Sequence, residues 1–197
     1  MDARLLDLPL SGRDPGLLLS VGRLAANKGH ARMLRAFAVL AARRADVRLA
    51  LVGGDYGELP ALRRLAAELG MEKRVIFAGE VIAPQLLGWY ARAAVFVSAS
   101  DYESFGIAAL EGMAAGCLPV LSNIPAYQEL SGGGGRVLLT DFSDPQIAAE
   151  ALEAGLAAAA QPQNALIQAA RSYAAAFAWP EIARRTEEVY HEAARPA

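Results

Sequence analysis

The sequence has almost no cysteine and very little histidine. Cys117 is the single cysteine among 197 residues, so no disulfide can form within the chain, and a reducing compartment such as the cytoplasm is the simplest expectation. The same count excludes a metal site built on cysteines. His30 and His191 are far apart in the sequence, which argues against a histidine-rich zinc site. We therefore expect no metal site.

An excess of positive charge and long apolar runs are also absent. Lysine and arginine total 19 against 21 acidic residues, for a net charge of −2, whereas nucleic-acid-binding domains usually carry a basic excess. No stretch reaches the roughly 18 apolar residues expected of a membrane-spanning helix, and residues 1–10 alternate charges with leucines, unlike a signal peptide. We expect a soluble protein without a nucleic-acid partner; contact with a membrane surface stays open.

Short apolar runs alternate with longer helical segments along most of the chain. This alternation predicts an α/β fold, a three-layer Rossmann-like, doubly wound parallel sheet of about six strands with helices on both faces. The C-terminal third is mostly helical and predicts a helical extension. The predicted strands are 17–22, 47–53, 74–78, 95–98, 118–122 and 135–138, and the predicted helices are 29–43, 58–69, 84–92, 106–115, 145–160, 164–177 and 180–194.

The loop after the first predicted strand carries two cations, Arg23 and Lys28. In a doubly wound sheet, ligands bind beyond the carboxyl ends of the strands. A guanidinium binds phosphate oxygens bidentately and an ammonium adds a compact charge, so the pair suits a diphosphate. Two solvated loop cations are an equally acceptable interpretation of this feature alone. The loop does not match the phosphate-binding pattern of nucleotide hydrolases.

Two glutamates, Glu103 and Glu111, bracket the start of a predicted helix. The amides of Phe105, Gly106 and Ile107 would lie at its positive end, where an anion or a sugar oxygen can be bound. Carboxylates accept hydrogen bonds from hydroxyls, so both glutamates suit a sugar and a ribose. Each also has a simpler interpretation, since Glu103 could merely favour the helix dipole and a mid-helix glutamate is usually solvated. The neighbours of Glu111 in the sequence are apolar, so its helix is expected to be mostly buried, and a buried carboxylate is costly unless it has partners.

Together these segments resemble the C-terminal domain of the family 4 (group 1) retaining glycosyltransferases of the GT-B fold. The resemblance covers the chain from about residue 17 onward. Departures are modest: Ser104 stands where glycine is more usual, and two residues separate Gly116 from Pro119. The segments that carry the resemblance are 19–24 (LSVGRL) with Lys28 and Gly29, 94–97 with Ser100, and 103–120 (ESFGIAALEGMAAGCLPV).

The resemblance implies a role for each matching residue. Arg23 and Lys28 would bind the donor diphosphate, Glu103 would contact the hydroxyls of the donor sugar, and Glu111 would hold the ribose. Catalysis would then rest on Glu103, Arg23 and Lys28. The other implied substrate-binding residues are Gly22, Phe105, Gly106 and Ile107 near the sugar and phosphates, and Val81 and Ile82 near the base.

The implied activity is transfer of a hexosyl group from a nucleotide-diphosphate sugar to an unidentified acceptor with retention of configuration. The departing phosphate would take the acceptor proton, and neither a metal nor a cofactor is normally required in the family. The donor could be UDP-, GDP- or ADP-linked.

The resemblance also implies a missing half. Family members are about twice this length and carry an N-terminal acceptor domain. We therefore expect residues 1–16 to be a lead-in, 17–178 the nucleotide-sugar-binding domain, and 179–197 a helix that crosses back to an N-terminal domain, supplied in cis or in trans.

Two alternatives stay open. The chain could be another GT-B enzyme, such as a sugar-nucleotide epimerase, or a non-catalytic or partner-dependent nucleotide-sugar-binding module. Among the remaining residues, Trp89 and Tyr90 are predicted to lie in the core, and His30 is a weaker candidate for a phosphate contact.

Overall fold

The structure, a computed structural model, describes residues 1–161 and 163–194. Pro162, in the predicted linker at 161–163, and residues 195–197, in the predicted C-terminal segment, lie outside the described residues. The described strands are β1 (Asp14–Val21), β2 (Arg48–Val52), β3 (Val75–Gly79), β4 (Ala93–Ser98), β5 (Leu118–Ser122) and β6 (Leu138–Thr140). The described α-helices are α1 (His30–Arg43), α2 (Leu59–Glu68), α3 (Ala83–Arg92), α4 (Ile107–Ala115), α5 (Pro125–Ser131), α6 (Pro145–Ala159), α7 (Ala165–Ala175) and α8 (Trp179–Ala193).

The six strands form one parallel sheet in the order β3-β2-β1-β4-β5-β6. The chain winds outward in one direction from β1 to β3, and then in the other direction from β4 to β6. All six residues of β4 are buried, as expected for a central strand covered on both faces. The predicted doubly wound parallel sheet of six strands is confirmed.

Helices cover both faces of the sheet, and a separate hydrophobic cluster fills each interface. Successive side chains of a strand point to opposite faces, so Leu18 packs in one cluster and Leu19 in the other. Helices α1, α2 and α6 cover the first face, while α3, α4, α5 and α7 cover the second. The three predicted layers are therefore present.

Three elements differ from the pattern-based prediction. Strand β1 begins at Asp14, three residues early, where Asp14 pairs with Ala93 of β4. Gly16 fits in this stretch because it has no Cβ, which would lie 2.4 Å from the Asp46 carbonyl oxygen. Strand β6 is Leu138–Thr140, displaced toward the C-terminus relative to 135–138, since its register is set by pairing with β5. Helix α5 was not predicted. It has seven residues, too few for a clear helical period, and Pro125 at its start resembles a turn signal.

Helix α8 has no buried residue in the part that the structure describes. Trp179, Val189 and Tyr190 are among its exposed apolar side chains. None of the described helices combines the length and apolar character needed to cross a bilayer. The role of α8 as a crossover to a second domain stays a prediction.

Candidate functional site

A pocket opens at the carboxyl ends of β1 and β4, the neighbouring strands from which the chain winds in opposite directions. This topological switch point is where doubly wound sheets bind ligands. The pocket has a volume of about 330 Å³. Its lining combines the loop after β1 with the loop and first turn between β4 and α4, and includes Gly22, Arg23, Lys28, His30, Ser98, Ser100, Glu103, Phe105, Gly106, Ile107 and Tyr127.

The loop after β1 is fastened to the loop after β2. The Leu24 amide donates to the Gly54 carbonyl oxygen at 2.8 Å, and the Tyr56 amide donates to the Leu24 carbonyl oxygen at 3.0 Å. Gly29 then turns the chain into α1 with φ +64, a left-handed conformation in which a Cβ would lie 2.1 Å from the Ala99 carbonyl oxygen. These contacts hold the two cations of the loop at the mouth of the pocket.

The two cations have different partners. Arg23 lies over the ring of Tyr56, with the guanidinium carbon 5.0 Å from the ring centroid, and it forms no ion pair with a carboxylate within residues 1–161 and 163–194. The Lys28 ammonium is 2.7 Å from Oε1 of Glu103, and the two side chains are only 19% and 17% exposed. Arg23 is therefore available to a ligand, whereas Lys28 already neutralises a carboxylate.

Glu103 is held by several donors. Besides Lys28, the Ser100 hydroxyl donates to Oε1 at 2.8 Å, and the Tyr127 hydroxyl lies 3.2 Å from the same oxygen. The hydrogen bonds that the described residues make to this carboxylate all end on Oε1. The other oxygen, Oε2, is left to accept hydrogen bonds from a ligand.

The first turn of α4 faces the same pocket. Gly106 caps the helix with φ +78 and has no Cβ, which would lie 2.7 Å from Cε1 of Tyr127. The free amides at this end carry the positive pole of the helix. Phe105 and Ile107 are 43% and 58% exposed and form an apolar rim beside these amides.

Glu111 lies further along α4, away from this lining. Its Oε2 accepts a hydrogen bond from the Tyr90 hydroxyl at 2.9 Å. Burial raises the pKa of Glu111, and the hydrogen bond from Tyr90 opposes that rise. Tyr90 is fully buried, as predicted, and its own pKa is raised by the same burial and by the neighbouring carboxylate.

A second, smaller cavity of about 230 Å³ adjoins the first and shares Gly22 and Arg23 with it. Val81 lines this cavity together with residues at the ends of β2 and β3. Ile82 is 66% exposed and, like Glu111, is outside the lining of both cavities. The structure thus brings eight of the ten predicted site residues to two adjoining cavities, and Glu111 and Ile82 lie outside the lining of both.

His30 is the first residue of α1 and lines the larger pocket. Burial, with a further contribution from the charge of Lys28, lowers its pKa to about 4. Its Nδ1 is buried without a hydrogen-bond partner among the described residues. The imidazole therefore lies neutral beside a cation at neutral pH.

The sequence analysis missed Tyr127 as a site residue, because it belongs to the unpredicted helix α5. Ser98 was missed as well. A usable signal existed in the spacing of Ser98 and Ser100, since residues two apart at the end of a strand point to the same side.

Comparison with known proteins gives a consistent result. The family model described as glycosyl transferases group 1 matches residues 9–173. The chain is 32% identical over 183 residues to the GDP-mannose:cellobiosyl-diphosphopolyprenol alpha-mannosyltransferase of Xanthomonas campestris, covering 92% of this chain and 48% of that protein. It is 36% identical over 193 residues to the D-inositol 3-phosphate glycosyltransferase of Corynebacterium urealyticum, covering 95% and 45%. The chain thus spans about half the length of the curated relatives it matches.

Solved structures agree with this result. Sucrose-phosphate synthase from Thermosynechococcus elongatus superposes with a TM-score of 0.77 at 27% identity, over 98% of this chain and 50% of that one. Anabaena Alr3699/HepE, solved in complex with UDP and glucose, gives a TM-score of 0.79 at 20% identity, over 99% and 55%. The second similarity supports the fold alone. The relatives are named as glycosyltransferases, which favours transfer over the epimerase alternative.

Proposed function

This chain belongs to the group 1 glycosyl transferases, and from that premise we propose that it is the donor-binding half of a retaining glycosyltransferase. The pocket would bind a nucleotide-diphosphate sugar, and the complete enzyme would transfer its hexosyl group to an acceptor. The observation that carries the proposal is that Arg23, Lys28, Glu103 and the amino end of α4 converge on one pocket at the switch point of the sheet.

Arg23 and Lys28 would bind the diphosphate. Its negative charge grows as the bond to the sugar breaks, and fixed positive groups stabilise a departing anion most in the transition state. Among the described residues Arg23 is paired with no carboxylate, so it would bind the diphosphate without breaking an ion pair. Lys28 would turn from Glu103 to a phosphate oxygen. The amides of Phe105, Gly106 and Ile107 add the helix dipole on the same side. The departing phosphate would accept the proton of the attacking hydroxyl, so the step would need no metal.

Glu103 would orient the donor sugar, with Oε2 accepting hydrogen bonds from its hydroxyls. The smaller cavity would take the nucleobase, with Val81 and Gly22 on its wall and Ile82 at its rim. Glu111 would then accept a ribose hydroxyl through Oε1, since Tyr90 occupies Oε2. That contact requires the ribose to extend from the pocket along α4 as far as Glu111.

The acceptor site would lie on a second domain. The chain matches only about half the length of its relatives, and a second domain would close the pocket. Closure matters because an acceptor must be held near the reacting carbon and water must be excluded. One relative is named with GDP-mannose and one neighbour was solved with UDP, which makes GDP and UDP candidate leaving groups. ADP stays the third candidate from the sequence analysis.

Thermal unfolding with added nucleotide tests the proposal. A nucleoside diphosphate at about 100 times its Kd should stabilise the chain by roughly 2.7 kcal/mol, seen as a raised Tm. Lys28→Ala should remove most of that shift. Lys73→Ala is the matched control, because Lys73 is exposed and precedes β3 at the opposite end of the sheet. If UDP, GDP and ADP all leave Tm unchanged, the pocket does not bind a donor nucleotide.

A further inference from the structure

A chain of three buried hydroxyls ends on Glu103. The Tyr127 hydroxyl donates to Oγ of Ser98 at 2.8 Å, Oγ of Ser98 lies 3.1 Å from Oγ of Ser100, and the Ser100 hydroxyl donates to Oε1 of Glu103 at 2.8 Å. Tyr127 and Ser100 are each 1% exposed and Ser98 is 8% exposed.

The three hydroxyls can all donate in the direction of Glu103. A hydroxyl has one proton to donate and lone pairs to accept with, so Tyr127 can donate to Ser98, Ser98 to Ser100, and Ser100 to the carboxylate. The alternative, direct donation from Tyr127 to Oε1 at 3.2 Å, also ends on Glu103. Hydrogen bonds that line up in a buried network strengthen one another, and burial raises the pKa of Tyr127 so that it remains a donor.

We infer that Tyr127 is a positioning residue for the donor sugar, acting through Ser98 and Ser100 to hold Glu103 with Oε2 turned toward the ligand. This inference rests on the proposed function. The hydroxyl of Tyr127 is needed to hold Glu103 because Lys28 would have two partners, Glu103 and the diphosphate of the donor. When the ammonium turns to the diphosphate, Glu103 loses its ion pair, and a buried carboxylate without partners is costly. The hydroxyl chain keeps Oε1 satisfied in both states, so the orientation of Glu103 would not depend on Lys28.

The position of α5 supports this role. The Tyr127 ring lies against Gly106, where an added Cβ would be 2.7 Å from Cε1. The same side chain therefore packs under the cap of α4 with its ring and reaches the carboxylate network with its hydroxyl. Tyr127→Phe keeps the ring and removes only the hydroxyl, which separates the two roles.

Dissociation constants from NMR titration test the inference with pairs of probes, in which one member of each pair carries the sugar and the other lacks it. UDP and UDP-glucose form one pair, and GDP and GDP-mannose form the other. Tyr127→Phe should weaken binding of the nucleotide sugar about tenfold, the size expected for a hydrogen bond to a charged group, and should leave the nucleoside diphosphate within about twofold. Ser100→Ala should give the same split and serves if Tyr127→Phe does not fold.

Tyr190→Phe is the matched control, because Tyr190 is 70% exposed on α8, and it should change neither constant. Equal weakening of both probes by Tyr127→Phe and Ser100→Ala would indicate a general packing role and overturn the inference, as would no weakening of either. A wild-type chain that binds none of the four probes refutes the proposed function itself.

Discussion

We expect the buried imidazole of His30 to make the folded chain less stable in mild acid. Its pKa is lowered to about 4, first by burial and second by the charge of Lys28. An unfolded chain would bind this proton near pH 6.5. Between these two values the unfolded state holds more protons than the folded state, so stability present above pH 6.5 is lost as the pH falls toward 4.

The magnitude follows from the two pKa values. With the ordinary pKa of 6.5 and the lowered value of about 4, the linkage relation gives a loss of about 2 kcal/mol between pH 7 and pH 5 and about 3 kcal/mol at pH 4. The buried Nδ1 of His30 has no hydrogen-bond partner in the part of the chain that the structure describes. This also disfavours protonation in the folded state, because the protonated ring would bury an N–H with no acceptor.

The test compares urea unfolding of the wild type and His30→Gln at several pH values between 7 and 5. Glutamine does not titrate there, so the variant should lose about 2 kcal/mol less than the wild type over this interval. All other titrating groups contribute alike to both proteins and cancel. His191→Gln, an exposed substitution on α8, should retain the wild-type slope. If His30→Gln and the wild type show the same pH dependence, His30 is not buried in a neutral form.

Two further predictions concern the same site. Burial raises the pKa of Glu111 above its ordinary value of 4.5, so the folded chain loses stability as the pH rises from that value through the raised pKa. Glu111→Gln should therefore be more stable than the wild type in urea unfolding at pH 7. It should also bind nucleoside diphosphate about tenfold more weakly. Lower stability together with unchanged affinity would contradict both the burial argument and the ribose role. Gly29→Ala should cost about 2 kcal/mol or more of stability, since the backbone there is left-handed and the new Cβ would lie 2.1 Å from the Ala99 carbonyl oxygen. A denaturation midpoint equal to that of the wild type would show that this turn can relax.

The main architecture could be predicted from local patterns. Near-continuous apolar runs separated by amphipathic segments specify parallel strands covered by helices. Both patterns are formed by residues close together in the sequence, so they can be recognised without knowing the tertiary structure. The loop of Arg23 and Lys28 and the position of Glu103 could be located for the same reason, because the first follows a predicted strand and the second lies between a predicted strand and a predicted helix.

Elements that depend on a neighbour were less predictable. Strand β6 has three residues, and its limits are set by pairing with β5 rather than by its own composition. Helix α5 is too short to show a period, and what stabilises it is burial of Tyr127 and Leu130 against the second face of the sheet. The pattern of a short segment cannot specify a partner that lies elsewhere in the chain.

The sequence by itself determined that one carboxylate, Glu103, and the two cations Arg23 and Lys28 would meet at the ends of β1 and β4, since chain order and strand direction decide which loops share an edge. Only the tertiary structure decided how they meet. Lys28 and Glu103 are 75 residues apart, and Tyr127 and Glu103 are 24 apart; whether such groups come within hydrogen-bonding distance depends on helix packing and side-chain rotamers, which no local pattern encodes. The choice of Oε1 for the internal donors, which leaves Oε2 to a ligand, is a consequence of that packing.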